Sequence, residues 1–126
     1  MKIDERKGMR ISLIILSWNG KLLLEANLPS VVTAVRACKL ETEIIVVDNG
    51  SADGTQEFIK RHYPEVRLIS LNSNKRFTGG NNAGANAAKG DLLVFLNNDV
   101  EVTAGFLGIQ YGSSHSLRKR GCLYVR

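Results

Sequence analysis

Three apolar runs that do not alternate with polar residues place the strongest constraint on how this chain can fold. They span residues 13–16, 44–47 and 92–96. Strands that are apolar on both faces are typical of parallel sheets, in which helices cover each side. Helical patterns lie between the runs. We therefore predict an α/β fold built on a mostly parallel open sheet with helices on both faces.

Periodicity and turn residues predict where the individual elements lie. Apolar residues recur along one face of residues 21–37, which indicates a helix, and Pro29 fits there if it opens the main helix after a short preceding turn. An Ala-rich helix is predicted over residues 81–89, with Gly90 as its left-handed cap. The remaining predictions are strands over 10–16, 43–47, 66–71 and 91–96 and a short helix over 55–62.

Length and composition indicate one globular domain. The chain has 126 residues, 44% of them hydrophobic and 23% charged. No stretch approaches the roughly 18 to 20 apolar residues of a membrane span, and residues 1–9 form a polar extension unlike a signal peptide. Cys38 and Cys122 lack metal-ligand spacing. We expect reduced thiols and a cytoplasmic location, with the membrane periphery as an alternative.

The positive charge is concentrated in the last part of the chain. Four of the 17 basic residues and none of the 12 acidic residues lie beyond position 103, which leaves 13 basic and 12 acidic side chains before it. The nearly neutral body argues against a nucleic-acid partner. Residues 108–126 are predicted to be an atypical basic tail in a loop or disordered conformation.

Polar residues and glycines follow each apolar run. Because parallel strands end at the same edge of a sheet, where α/β proteins bind ligands, these residues predict one site. Each segment taken alone is more typical of an ordinary turn than of a ligand site, so the prediction rests on their recurrence in one order. The residues concerned are Ser17, Trp18 and Asn19 after the first run, Asp48, Asn49 and Ser51 after the second, and Asn97, Asn98 and Asp99 after the third.

The residue types indicate the chemistry of such a site. Asp99 could hold a divalent cation beside a diphosphate. Trp18 offers a flat face for a nucleobase, although it could equally be a tryptophan of the core or rim. Asp48 and Asn49 could bind a base edge or ribose hydroxyls, or could cap the following helix.

A glycine-containing segment, residues 74–84, supplies the last component. Adjacent glycines before a helix allow a close approach of the backbone to an anion, and Lys75 and Arg76 add positive charge. The segment matches neither the dinucleotide-binding fingerprint nor a Walker-type phosphate loop. Its candidate ligand-binding residues are Phe77, Gly79, Gly80 and Asn81.

The four motifs in this order, over roughly residues 10–107, resemble family 2 glycosyltransferases. The resemblance implies a GT-A fold that binds a nucleotide-diphospho-sugar carrying UDP, dTDP or GDP. It also implies Mg²⁺ or Mn²⁺ at Asp99 and a carbohydrate or lipid-linked acceptor. Sugar transfer would be inverting, with the cation stabilising the departing diphosphate. The resemblance makes twelve residues candidate nucleotide-sugar ligands. They are Ser17, Trp18, Asn19, Asp48, Asn49, Ser51, Phe77, Gly79, Gly80, Asn81, Asn97 and Asn98.

The chain departs from the family pattern in three ways. Asn49 stands where a second Asp is frequent, and Asn97 replaces the first Asp of the Asp-x-Asp motif. The family places its general base later, and no acidic residue follows Glu101, so we identify no catalytic residue. We expect a truncated donor-binding half of the enzyme.

Two other functions are possible from the residues. The chain could be a non-catalytic remnant that at most binds the nucleotide sugar. It could also be a nucleotidyltransferase with a similar sheet, but that class needs a glycine-rich loop with a catalytic Lys or Arg after the first strand. Gly20 and Lys21 alone do not provide such a loop.

Overall fold

The computed structural model describes residues 9–107 and the backbone of residues 121–125. Three helices alternate with the first four strands, and a fifth strand follows. The strands are β1 (Arg10–Ser17), β2 (Glu41–Asp48), β3 (Arg67–Ser70), β4 (Leu92–Asn97) and β5 (Gly121–Val125), and the helices are α1 (Lys21–Ala37), α2 (Thr55–His62) and α3 (Arg76–Ala87).

The five strands form one sheet in the order β3-β2-β1-β4-β5. Every neighbouring pair is parallel. The predicted parallel α/β sheet is therefore confirmed, and all of its strands end at one carboxyl edge.

Helices cover the sheet on both faces. One face packs Ile11, Leu13 and Ile15 of β1 against a helical layer that includes Leu24 of α1 and Ile59 of α2. The opposite face packs Ile14, Ile45 and Val47 together with alanines of α3. Adjacent residues of β1 thus enter different cores, which explains why the apolar runs show no alternation.

Pro29 lies inside a continuous helix, so the prediction that it opens the main helix is wrong. α1 runs unbroken from Lys21 to Ala37. Proline cannot donate the hydrogen bond to the carbonyl of Glu25 that this position of a helix normally makes. The buried side chains of Leu24, Leu28 and Val31, on both sides of the proline, hold the helix on the sheet.

Helix α3 begins five residues earlier than predicted, at Arg76, and ends at Ala87. Gly80 and Gly84 therefore lie within the helix and face the sheet. A Cβ at Gly84 would lie 2.6 Å from Cγ2 of Ile14, so the two glycines allow close helix–sheet packing. The predicted left-handed cap at Gly90 is also wrong, because Gly90 has no positive φ and packs against Ser12.

The structure also differs from the prediction for the end of the chain. Gly121–Val125 forms β5, which pairs with β4, so the predicted loop is wrong for those residues. The remainder of the predicted tail, residues 108–120 and 126, and most of the N-terminal extension lie outside the described residues. None of the helices in the described part combines the length and hydropathy that a bilayer-spanning segment requires.

Candidate functional site

The carboxyl ends of β1, β2 and β4 lie side by side. Ser17 is in register with Asp48 of β2, and Leu16 is in register with Asn97 of β4. The chain moves outward from β1 to β3 and then returns to β4 on the other side of β1. Loops diverge at such a reversal and leave a crevice, where open α/β sheets bind ligands.

Asp48 forms the floor of this region. Its side chain is completely buried, and Oδ2 accepts a hydrogen bond of 2.7 Å from Nε2 of Gln56. Oδ1 is buried and has no hydrogen-bond partner among the described residues. A buried carboxylate oxygen is costly to leave unpaired, so this atom is poised to accept a further hydrogen bond. Gln56, a surface-type residue in α2, gave no sequence signal for this contact.

Asn49 shapes the start of α3. Only 2% of its surface is exposed. Its Oδ1 accepts a 2.8 Å hydrogen bond from the backbone N–H of Lys75, and its Nδ2 donates a 3.1 Å bond to the carbonyl of Arg76. The amide therefore fixes the turn in which Arg76 has a φ of +64°, and both of its polar ends are engaged there.

Asn19 joins the loop after β1 to the loop after β2. Its backbone N–H donates a 2.7 Å hydrogen bond to Oγ of Ser51. Its Oδ1 accepts a 2.8 Å hydrogen bond from the backbone N–H of Ala52. We call these three residues the loop clasp. The clasp brings two of the predicted segments into direct contact.

Asp53 adds a second link between the same loops and was missed by the sequence analysis. Its Oδ2 accepts a 3.0 Å hydrogen bond from the backbone N–H of Lys21, and its Oδ1 accepts hydrogen bonds from Thr55. Partial burial raises the pKa of Asp53, but the hydrogen bonds from Thr55 and Lys21 outweigh it and lower the pKa below the ordinary value of 3.8. The Asp-Gly-Thr sequence before a helix could have indicated this capping role.

The end of β4 is tied to both β1 and α1. Asn98 Nδ2 donates a 3.1 Å hydrogen bond to Oγ of Ser17. Its carbonyl accepts a 3.1 Å bond from Nδ2 of Asn27. Gly20 lies against this contact, because a Cβ there would be 2.5 Å from both Asn98 Nδ2 and Ser17 Oγ. These contacts fix the backbone just before Asp99.

Asp99 and Asn97 are exposed at this edge. Neither side chain forms a hydrogen bond to another part of the chain that the structure describes. Within that part, no cluster of His, Cys, Asp or Glu could hold a metal ion unaided. One carboxylate and one amide oxygen, completed by diphosphate oxygens, nevertheless fit Mg²⁺ or Mn²⁺, which are commonly held by one or two carboxylates and substrate phosphates.

Two aromatic rings of the predicted set are accessible. Trp18 is 56% exposed and Phe77 is 55% exposed. By contrast, Gly80 and Asn81 are buried in α3, and Gly79 is half-buried. A Cβ at Gly80 would collide with Leu16, so this glycine serves the packing of the helix on β1. The predicted phosphate loop is therefore the first turns of a helix, not an extended loop before it.

A groove of about 470 Å³ adjoins the site along α2. Its lining includes Ser51 of the loop clasp and Gln56, which bonds to the buried Asp48. Lys21 and Arg61 add positive charge to its walls. No motif of the sequence analysis indicated this groove.

A parallel sheet with polar loops gathered at its central crevice is the arrangement in which open α/β proteins bind their ligands. The sequence profile described as Glycosyl transferase family 2 matches residues 12–124. The chain belongs to this family. The nucleotidyltransferase alternative is thereby set aside.

Curated relatives and solved structures agree with this assignment. The chain is 34% identical over 94 residues to the uncharacterized glycosyltransferase YfnE of Bacillus subtilis, covering 73% of this chain and 24% of that protein. It is 32% identical over 106 residues to the undecaprenyl-phosphate 4-deoxy-4-formamido-L-arabinose transferase of Yersinia enterocolitica, covering 78% of this chain and 31% of the relative. The chain thus spans about a quarter to a third of these relatives.

The fold is that of GT-A glycosyltransferases. Staphylococcus aureus TarS 1–349 in complex with UDP-GlcNAc superposes with a TM-score of 0.73 at 21% identity, covering 85% of this chain and 32% of that chain. The mannosyltransferase PcManGT from Pyrobaculum calidifontis, in complex with GDP-Man and Mn²⁺, gives a TM-score of 0.65 at 21% identity, covering 79% and 30%.

Proposed function

We propose that the carboxyl edge of the sheet binds a nucleotide-diphospho-sugar and supplies the donor half of a glycosyltransferase site. One observation carries this proposal. The three loops that follow β1, β2 and β4 are hydrogen-bonded to one another through Ser17, Asn19 and Asn98. Family membership supports sugar transfer as the general reaction.

The nucleoside end of the donor is assigned to Trp18 and Asp48, beside the turn that Asn49 holds. The exposed indole of Trp18 provides a stacking surface for a base. Asp48 Oδ1 provides an acceptor without a partner among the described residues. UDP, dTDP and GDP all remain candidates, because the Asn49 amide is engaged by the turn before α3 and does not select a base in this state.

The diphosphate end of the donor is assigned to the end of β4. Asp99, assisted by the amide oxygen of Asn97, would hold Mg²⁺ or Mn²⁺ there. A bound cation stabilises negative charge on a departing nucleoside diphosphate, which can supply several kcal/mol. Asn98 and Asn27 keep the backbone next to Asp99 in place.

The acceptor is proposed to be a carbohydrate or a lipid-linked sugar or phosphate. The name of the Yersinia relative includes undecaprenyl phosphate, a lipid phosphate, which supports the lipid-linked alternative. We propose that the anomeric configuration of the sugar is inverted on transfer. Comparison of the anomeric configuration of the product with that of the donor would test this.

Fluorescence titration of the chain tests donor binding, because Trp18 is its only tryptophan. UDP-, dTDP- and GDP-sugars are titrated with and without Mn²⁺. We expect saturable, Mn²⁺-strengthened quenching with at least one of them and loss of the Mn²⁺ effect in Asp99→Asn. Asp91→Asn, which changes a carboxyl at the opposite edge, should behave like the wild type.

Failure of every nucleotide sugar to bind would contradict the proposal. Binding without release or transfer of the sugar would favour the non-catalytic alternative. Assay of sugar release on the same samples therefore separates donor recognition from activity.

A further inference from the structure

We propose that Asn19 is a positioning residue that fixes the orientation of Trp18 in the donor site. The inference rests on the proposed function, since it concerns the same site. It assigns a role to a residue that would otherwise be one of several polar groups at the sheet edge.

Among the described residues, no hydrogen bond or ring contact holds the indole of Trp18. More than half of its surface is exposed. The position and direction of the Cα–Cβ bond from which the ring projects are set by the backbone on either side of Trp18.

The backbone before Trp18 is held by two contacts of Ser17. The Ser17 carbonyl accepts a 2.8 Å hydrogen bond from the N–H of Asn49, and its hydroxyl accepts a 3.1 Å bond from Asn98. Ser17 is also the last residue of a central strand. This side of Trp18 is fixed by the sheet.

The backbone after Trp18 is held by the loop clasp. Asn19 is not in a strand or helix, and its φ of +48° lies in the left-handed region, which asparagine tolerates better than most residues. Its N–H and its Oδ1 bind adjacent residues of one neighbouring loop, Ser51 and Ala52. The side-chain bond adds a second point of attachment, so rotation of the loop about the first is prevented.

A stacking surface that is already ordered avoids the entropy cost of ordering on binding. Asn19 would therefore strengthen binding of the base without touching it. The cation and the diphosphate are assigned to the end of β4, so their binding would be independent of Asn19. This difference separates a positioning role from a general structural one.

Asn19→Gly tests the inference. Glycine adopts a positive φ without strain and retains the N–H that donates to Ser51, while the Oδ1 bond to Ala52 is lost. Asn19→Asp retains an acceptor oxygen and serves as the rescue. Asn72→Gly, an exposed residue of the β3–α3 loop, is the matched control.

Three measurements are made on each variant. Time-resolved anisotropy and acrylamide quenching report the mobility of Trp18. Titrations with UDP-GlcNAc, UDP-glucose, dTDP-glucose and GDP-mannose in Mn²⁺ report binding of the complete donor. Titration with Mn²⁺-pyrophosphate, followed by calorimetry, reports binding without a base.

In Asn19→Gly we expect faster Trp18 motion, roughly three- to tenfold weaker binding of the preferred nucleotide sugar and unchanged binding of pyrophosphate. Asn19→Asp and Asn72→Gly should match the wild type. Unchanged Trp18 mobility, or equal weakening for pyrophosphate and nucleotide sugar, would overturn the inference. If the wild type binds no nucleotide sugar, the proposed function fails, while the mobility measurement still decides whether Asn19 orders Trp18.

Discussion

Nδ2 of Asn98 donates a hydrogen bond to Oγ of Ser17 across 3.1 Å, which joins residues 81 positions apart in the sequence. Ser17 is buried and ends β1, whereas Asn98 directly precedes the candidate metal ligand Asp99. The carbonyl of Asn98 is held in turn by Asn27 of α1. The position of Asp99 therefore depends on neutral amides that have no role in binding a cation.

Asn98→Ala should destabilise the protein and weaken Mn²⁺-dependent donor binding. The change leaves the buried Ser17 hydroxyl without this partner, which costs about 1 kcal/mol. Urea unfolding and the fluorescence titration measure the two effects. Asn82→Ala, which removes an exposed amide from α3, should cause neither. Equal behaviour of the two variants would show that the Ser17 contact does not matter.

Gly84→Ala should destabilise the packing of α3 on the sheet. The new methyl group would lie 2.6 Å from Ile14 Cγ2 and 3.0 Å from Val47 Cγ2. Both partners are buried β-branched residues with little freedom to move. We expect a net loss of about 1–3 kcal/mol in the free energy of unfolding. Gly105→Ala, where a Cβ meets nothing within 4 Å, is the control, and a similar value for both would refute the packing argument.

Asp53→Asn should lower the free energy of unfolding near neutral pH and make it less dependent on pH in the acid range. The folded state lowers the pKa of Asp53 below 3.8, so its ionised form stabilises the fold above that pH. This contribution is lost as the pH falls through the lower folded-state pKa. The variant should thus be less stable than the wild type near neutral pH, and the difference should narrow toward pH 2. Urea unfolding across this range provides the measurement.

Glu43→Gln should show a similar pH effect without affecting the site. Partial burial raises the pKa of Glu43, but hydrogen bonds from Ser12, Lys89 and Arg67 and the charge of Arg67 lower it below the ordinary value of 4.5. Glu43 lies near the start of β2, away from the carboxyl edge. Only Asp53→Asn should also weaken nucleotide-sugar binding. Weaker binding in Glu43→Gln would mean that binding follows overall stability.

Pro29→Ala should stabilise α1. The exposed proline interrupts the hydrogen-bond ladder within a helix of 17 residues, and alanine would restore a donor toward the carbonyl of Glu25. We expect a gain of about 1–3 kcal/mol in urea unfolding. Ala26→Pro, at another exposed position of the same helix, provides the opposite change and should lose stability. A loss in Pro29→Ala would indicate that the ring itself packs favourably.

Local patterns predicted the sheet because burial on both faces is visible in each strand by itself. The apolar runs before Asn97 and before Asp48 could each be predicted to be a buried strand without knowledge of the rest of the chain. The start of α3 was not predictable in this way. It depends on Asn49, 27 residues before Arg76 in the sequence, whose amide holds the turn.

The same distinction explains what was missed around the site. The link from Asp53 to Lys21 spans 32 residues, and the bond between Gln56 and Asp48 requires α2 to be docked on the sheet. Strand β5 follows a basic stretch and is defined by its pairing with β4, so its local sequence was a weak signal. Contacts between distant segments define these features, and a single sequence does not display them.

The position of β1 between β2 and β4 means that its two partner strands are synthesised at different times. β2 emerges soon after β1, but the partner of Ser17 in the last loop is 81 residues later. At 5–20 residues per second, translation of that interval takes about 4–16 s. Throughout this time β4, the partner of β1 on the side opposite β2 in the folded sheet, is not yet available to pair with it. The crevice between the ends of β1 and β4 therefore forms only after β4 has been synthesised.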